Sequence, residues 1–183
     1  MNIVYQSKTK SGKEIVIRYP EIGDEKEMCR YINELSREKT FVRFQGEEIS
    51  LKDETEYLKS QIEKINEKKA ITLLVFYQNK IIAISGINMM DKTEKHIGRL
   101  GISVAKDFRG EGIGKLLMKL ILEKAKKEIP LLRIVVLEVY STNGIARGMY
   151  KKLGFVEYGR LPNGIIRKDR FEDSILMYLN FLK

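Results

Sequence analysis

DFRGEGIGKLLMKL, residues 107–120, sets glycines at 110, 112 and 114 and then runs directly into leucines and lysines. Glycine loses more freedom on ordering than any other residue, so three in alternation before a helix need a reason. A helix cap needs only one permissive residue. Glycines do, however, let a backbone approach an anion closely, and the free N–H groups of a helix N-terminus hydrogen-bond it. The loop therefore reads as a phosphate site. A dinucleotide fold would need G-x-G-x-x-G and fails on spacing. A P-loop fails too, because Gly110 to Gly114 encloses three residues and Leu116, not Ser or Thr, follows Lys115.

Downstream, Ile113, Leu116, Leu117, Leu120 and Ile121 predict a helix to about residue 127, stopped by Pro130. Upstream, GKEIVIRYP (12–20) alternates as a strand, and NIVYQS within residues 1–13 pairs with it as an extra N-terminal strand. Met28, Tyr31, Ile32 and Leu35 predict a helix over 24–39, and Leu58, Ile62 and Ile65 a second over 51–68 with Ser50 as N-cap. AITLLVFY (70–77) and KIIAISGINMM (80–90) form a hairpin about Gln78 and Asn79, and HIGRLGISV (96–104) adds a strand. RIVVLEVY (133–140) reads as a strand buried on both faces. The next helix presents Ile145, Met149 and Leu153 and ends at Gly154; two last strands turn about PNG. The order predicts a mixed α/β layout around one sheet.

A length of 183 residues fits a single domain spanning 1–183. The longest apolar run is far below the roughly 18 residues of a membrane span, and the N-terminus lacks a signal-peptide core, so the expected location is cytoplasmic with no membrane partner. Lone Cys29 and lone His96 allow neither an internal disulfide nor a zinc cluster, so no metal is expected. The net charge of +9 suits a polyanionic partner. No helix-turn-helix, RNA-recognition or zinc motif appears, so nucleic acid is not expected among the partners; a homodimer is left open.

Two motifs in order, RGEGIG (109–114) and LEVYSTNGIARGMYKKLGF (137–155), resemble the signatures of the GNAT superfamily of acetyl-CoA-dependent N-acetyltransferases. The likeness runs from about residue 14 onward. It implies a GNAT-type (acyl-CoA N-acyltransferase) fold with a central mixed, mostly antiparallel sheet flanked by helices. It implies acetyl-CoA as acyl donor and no metal. In such a protein the pyrophosphate sits on Arg109, Gly110, Glu111, Gly112, Ile113, Gly114 and Lys115, while Ile102, Ser103 and Val104 align the pantetheine arm. Asn143 adds a cofactor contact besides its fitness as an N-cap.

Acetyl transfer needs a neutral amine, a polarised thioester and a proton for the departing thiolate. The resemblance makes Tyr150 the acid, with core packing beside Met149 and Leu153 as the alternative. Glu138 interrupts an apolar run, where burial would raise its pKa toward that of a base. A carboxylate satisfied by its neighbours, with water taking the proton, is the other reading. Phe41, Arg43 and Phe44 fall where the family shapes its acceptor site; His96 and Arg147 carry weaker signals. The expected acceptor is a primary amine of a small molecule or amino acid, or else a peptide N-terminus as in ribosomal-protein acetyltransferases. A cofactor sensor without turnover and a basic nucleic-acid-binding module are the readings from other classes.

Overall fold

Ile113, Leu117, Ile121 and Ala125 recur every four residues down one helix and all are buried, so that helix lies flat on a sheet. The computed structural model describes residues 3–182. In chain order the elements are β1 (Ile3–Lys8), β2 (Glu14–Arg18), α1 (Glu25–Glu38), α2 (Leu51–Asn66), β3 (Ala70–Tyr77) and β4 (Lys80–Met89). There follow β5 (Ile97–Val104), α3 (Ile113–Glu128), β6 (Ile134–Tyr140), α4 (Gly144–Lys152), β7 (Val156–Arg167) and β8 (Arg170–Asn180). The eight strands form one sheet, ordered β1-β2-β3-β4-β5-β6-β8-β7. Every neighbouring pair is antiparallel except β5 and β6. The expected mixed, mostly antiparallel sheet flanked by helices is therefore present, and the N-terminal strand pairs with β2 as read.

The two faces of the sheet carry different layers. On one, α3 buries Ile113, Leu117, Met118 and Ile121 against Ile17, Leu73, Ile87, Leu100, Val135 and Leu137, with Tyr150 and Phe155 from the α4 segment completing the cluster. Each such aliphatic side chain contributes about 1.5–3 kcal/mol on leaving water. On the other face Met28, Tyr31 and Leu35 of α1 join Leu58 of α2 over Leu74 and Ile81. These two helices rest on β3 and β4 and leave the same face of β6 and β8 uncovered. β3 is thus sandwiched, which is why AITLLVFY is apolar at every position but Thr72.

The start of α1 is fixed by charge. Asp24 precedes the helix without capping it; its carboxylate instead accepts two hydrogen bonds from Arg18, at 2.7 and 2.6 Å, and one from the Glu21 N–H at 2.8 Å. Arg18 is 9% and Asp24 8% exposed, and the guanidinium also lies 4.1 Å from the Phe76 ring centroid. Ser50 caps α2 as predicted, its side chain accepting from the Asp53 N–H.

Three sequence expectations are corrected. β6 is buried on one face only: Val135, Leu137 and Val139 point into the core, whereas Glu138 is exposed on the other side. Ile145 is 93% exposed and lies off the packed face of α4. The PNG segment is not the hairpin turn. β7 and β8 turn at Lys168 and Asp169, both at positive φ, and residues 162–164 form a bulge in β7. Asp173 holds that bulge, accepting from the Asn163 N–H at 2.9 Å and pairing with Arg160.

Candidate active site

Strands β5 and β6 pair over three rungs only, Ile97, Gly98 and Arg99 against Ile134, Val135 and Val136. Beyond Arg99 the strands diverge and leave a wedge inside the sheet. Strand alternation determines which main-chain groups face it. The His96 carbonyl accepts from residues at the start of β6, and the Ala105 N–H donates to Ile82 of β4. With a period of two, the N–H and C=O of Ile102 and the N–H of Val104 point toward β6 without a strand partner. Ser103 points elsewhere: its N–H side faces β4, and its hydroxyl lies 3.0 Å from the Tyr31 hydroxyl. Of the three residues predicted to align an extended ligand, Ile102 and Val104 offer main-chain groups to the wedge, and Ser103 braces α1.

The wedge leads into the glycine loop. A short 3-10 turn, Lys106–Phe108, follows β5, and Gly110 and Gly112 both take positive φ, which a side chain adopts only under strain. Gly112 then occupies the cap position of α3. The N–H groups of Ile113, Gly114 and Lys115 precede the first intrahelical bond, Leu116 N–H to Gly112 O, and so remain available to an anion. A Cβ on Gly114 would lie 3.8 Å from both Met149 Sδ of α4 and Val104 Cγ2 of β5, so three elements converge there.

Two charged residues of the loop do not face that opening. Arg109 donates to the Val104 carbonyl at 2.9 Å and pairs with Glu38 of α1, so its side chain anchors the loop. Glu111 is turned toward the β1–β2 turn, where its carboxylate accepts from the Ser11 N–H at 2.9 Å and faces Lys13 Nζ at 3.9 Å. That N–H chiefly holds the Glu111 carboxyl below the ordinary carboxylate range. Withdrawing this charge keeps a carboxylate from competing at the helix N-terminus.

Across the wedge, Asn143 caps α4 through a 3.1 Å bond from the Ala146 N–H. Arg147 is engaged by the Ser141 carbonyl and Glu157. Tyr150 is 6% exposed, its ring packed 5.8 Å from that of Phe155, and its hydroxyl forms no hydrogen bond among the described residues. Burial pushes its pKa up to about 12. Core packing and an unengaged hydroxyl coexist in this one residue.

Glu138 lies on the uncovered face of β6, the same face as Ser103 and Tyr140, and its carboxylate accepts a hydrogen bond from Ser174 Oγ of β8. The desolvation expected from the sequence is therefore missing. An exposed, oriented carboxylate on the floor of an open cleft replaces it. Ser174, fully buried, was invisible to sequence reading because its partnership depends on the β6–β8 register.

The loop between α1 and α2 closes one end of this cleft. Phe41 packs edge-on to Tyr140 at 5.5 Å, the Tyr140 hydroxyl donates to the Val42 carbonyl, and Arg167 of β7 lies 4.4 Å from the Phe41 ring centroid. Arg167 is itself paired with Glu172, which also accepts from Thr142. Arg43 is exposed and Phe44 half-buried in the same loop. His96 is not part of this group: it precedes β5 at the end opposite the glycine loop, about 25 Å away at strand rise.

A wedge between the one parallel pair among the described residues, a glycine loop at its mouth and a tyrosine-bearing helix beyond it make one constellation. The model of the acetyltransferase (GNAT) family matches residues 29–155. The chain belongs to the GNAT acetyltransferase family. Among solved structures, an acetyltransferase of the GNAT family from Streptococcus pneumoniae is 31% identical, with a TM-score of 0.84 over 92% of this chain and 100% of that one. RimL, a ribosomal L7/L12 alpha-N-protein acetyltransferase in complex with coenzyme A, shares the fold at TM-score 0.77 and 14% identity over 98% of both chains. So does yncA, described as a putative acetyltransferase from Salmonella typhimurium with its cofactor acetyl-CoA, at TM-score 0.78 and 13% identity over 92% of this chain and 95% of that one. No functionally curated protein matches the sequence. This GNAT acetyltransferase has no helix long and apolar enough to cross a membrane and no cluster of three or more acidic, His or Cys side chains suited to a metal among the described residues.

Proposed function

We propose that residues 1–183 act as a single N-acetyltransferase domain that moves acetyl from acetyl-CoA directly to the primary amine of a small molecule or amino acid. The observation that carries this reading is the wedge between β5 and β6, where the Ile102 main chain and the Val104 N–H, without a strand partner, lead to the free N–H groups of Ile113, Gly114 and Lys115. An amide-bearing arm matches the first set and a pyrophosphate the second. The loop fits the donor: an added Cβ at Gly110 meets nothing within 4 Å, so the approach is open. A cytoplasmic setting suits the free thiol of Cys29.

Bound acetyl-CoA supplies an activated acyl carbon and a thiolate leaving group. Glu138, oriented by Ser174, receives the proton that the acceptor nitrogen sheds. Tyr150 donates a hydrogen bond to the departing sulfur. Full proton transfer from a phenol at about 12 to a thiolate of ordinary pKa near 8.5 runs uphill by about 5 kcal/mol, so Tyr150 serves as a hydrogen-bond donor rather than a complete acid. The Phe41 to Phe44 loop and hairpin β7–β8 shape the acceptor end.

Coenzyme A release measured across amino acids, polyamines, aminoglycosides and N-terminal peptides tests this reading. Turnover with a free amine supports it. Turnover only with peptides moves the acceptor to protein N-termini, and thermal stabilisation by acetyl-CoA without release across the panel makes the chain a sensor.

A further inference from the structure

The turn between β1 and β2, residues 9–13, belongs to none of the motifs above, yet it is fastened to the glycine loop at several points. The Lys10 N–H donates to the Glu111 carbonyl at 3.3 Å, and the Ser11 N–H donates to the Glu111 carboxylate at 2.9 Å. Lys13 Nζ lies 3.9 Å from that carboxylate and 5.1 Å from the Phe108 ring centroid. Between the turn and the first turn of α3 lies a cavity of about 230 Å³ lined by Lys10, Glu111, Gly112, Ile113 and Leu116.

Lys10 is the distinctive member. Its stem runs beside the helix cap: a Cβ on Gly112 would lie 3.8 Å from Lys10 Cε. Its ammonium forms no ion pair or hydrogen bond among the described residues, whereas the neighbouring cations Lys8 and Lys13 face Glu14 and Glu111. An unpaired ammonium is thus carried to the edge of the N–H groups that open α3, while the Glu111 carboxylate, set between the two left-handed glycines, is drawn away by Ser11 and Lys13.

We propose that Lys10 is a further phosphate-binding residue of the donor site, contributed by the turn that joins the two strands at one edge of the sheet. The proposal rests on the acetyl-CoA reading. It makes the N-terminal hairpin part of the donor site rather than an edge decoration, with the Glu111 clamp setting where the ammonium stands. Coenzyme A carries two sources of phosphate oxygen, the pyrophosphate and the 3′-phosphate, and their shared chemistry is what Lys10 recognises.

Calorimetric titration of the full chain with coenzyme A and with 3′-dephospho-coenzyme A tests it, using wild type, Lys10→Gln, Lys10→Arg and Lys52→Gln, the last as an exposed charge control on α2. The expected result is a roughly tenfold weaker Kd for coenzyme A in Lys10→Gln, recovery in Lys10→Arg and no change in Lys52→Gln. A loss seen with both ligands assigns Lys10 to the pyrophosphate, and a loss confined to coenzyme A assigns it to the 3′-phosphate. Wild-type affinity in Lys10→Gln, or an equal loss in Lys52→Gln, overturns the proposal. Failure of the wild type to bind coenzyme A overturns the donor reading itself, which separates the two failures.

Discussion

The Arg167 guanidinium lies 4.4 Å from the centroid of the Phe41 ring, so hairpin β7–β8 and the α1–α2 loop hold each other across the open face of the sheet. Phe41→Ala removes the ring on which both Arg167 and Tyr140 pack. The acceptor KM is expected to rise about tenfold, given roughly 1 kcal/mol or more for a stacked cation and an aromatic pair. Coenzyme A affinity, measured separately, should stay within twofold of wild type.

Tyr150→Phe deletes one hydroxyl and leaves the packing against Phe155 intact. Loss of a positioned donor lowers kcat by about a hundredfold. Cofactor Kd should barely move, and equal losses in Kd and kcat would assign the hydroxyl to binding instead.

Alkaline stability should also report on Tyr150. Its folded pKa is raised to about 12, so the neutral phenol is the form favoured by folding. Its contribution is complete below the unfolded tyrosine's ordinary pKa of about 10 and is lost as pH climbs toward 12; the amount is about 3 kcal/mol. Urea titrations between pH 9 and 12 should show a shallower decline for Tyr150→Phe than for wild type.

Glu138→Gln keeps the Ser174 hydrogen bond but can accept no proton. The value of kcat/KM at neutral pH should fall about a hundredfold. An unchanged kcat/KM would leave deprotonation to water.

Asp24→Ala strands a buried Arg18. Removing one member of such a pair costs about 3–5 kcal/mol, so the urea midpoint should drop sharply.

Much of this arrangement was legible in the sequence, and the failures have one physical source. Elements covered on both sides or on one side announce themselves: AITLLVFY is apolar but for Thr72 because helices sandwich it, and α3 shows a clean four-residue step. IVVLEVY presents the same apolar run, yet its Ile134, Val136, Glu138 and Tyr140 row floors an open cleft rather than a core. A functional hollow needs half-buried apolar walls, and composition cannot distinguish them from packing. The glycine loop was readable because its φ demands are local. The Glu111 clamp was not, since it joins residues 100 positions apart. The PNG turn misled because asparagine favours positive φ in a bulge as well as in a turn, and Asn163 adopts it there.

The divergence of β5 from β6 also bears on how the chain avoids unwanted company. A bare strand edge ordinarily recruits strands from other molecules and seeds aggregation. Here the N–H and C=O of Ile102 and the N–H of Val104, without a strand partner, lie within the sheet, and three closed rungs block the far end. A foreign strand has no length along which to zip up; only a thin chain entering end-on can use those groups, so the same shape that admits a guest excludes a polymerising one.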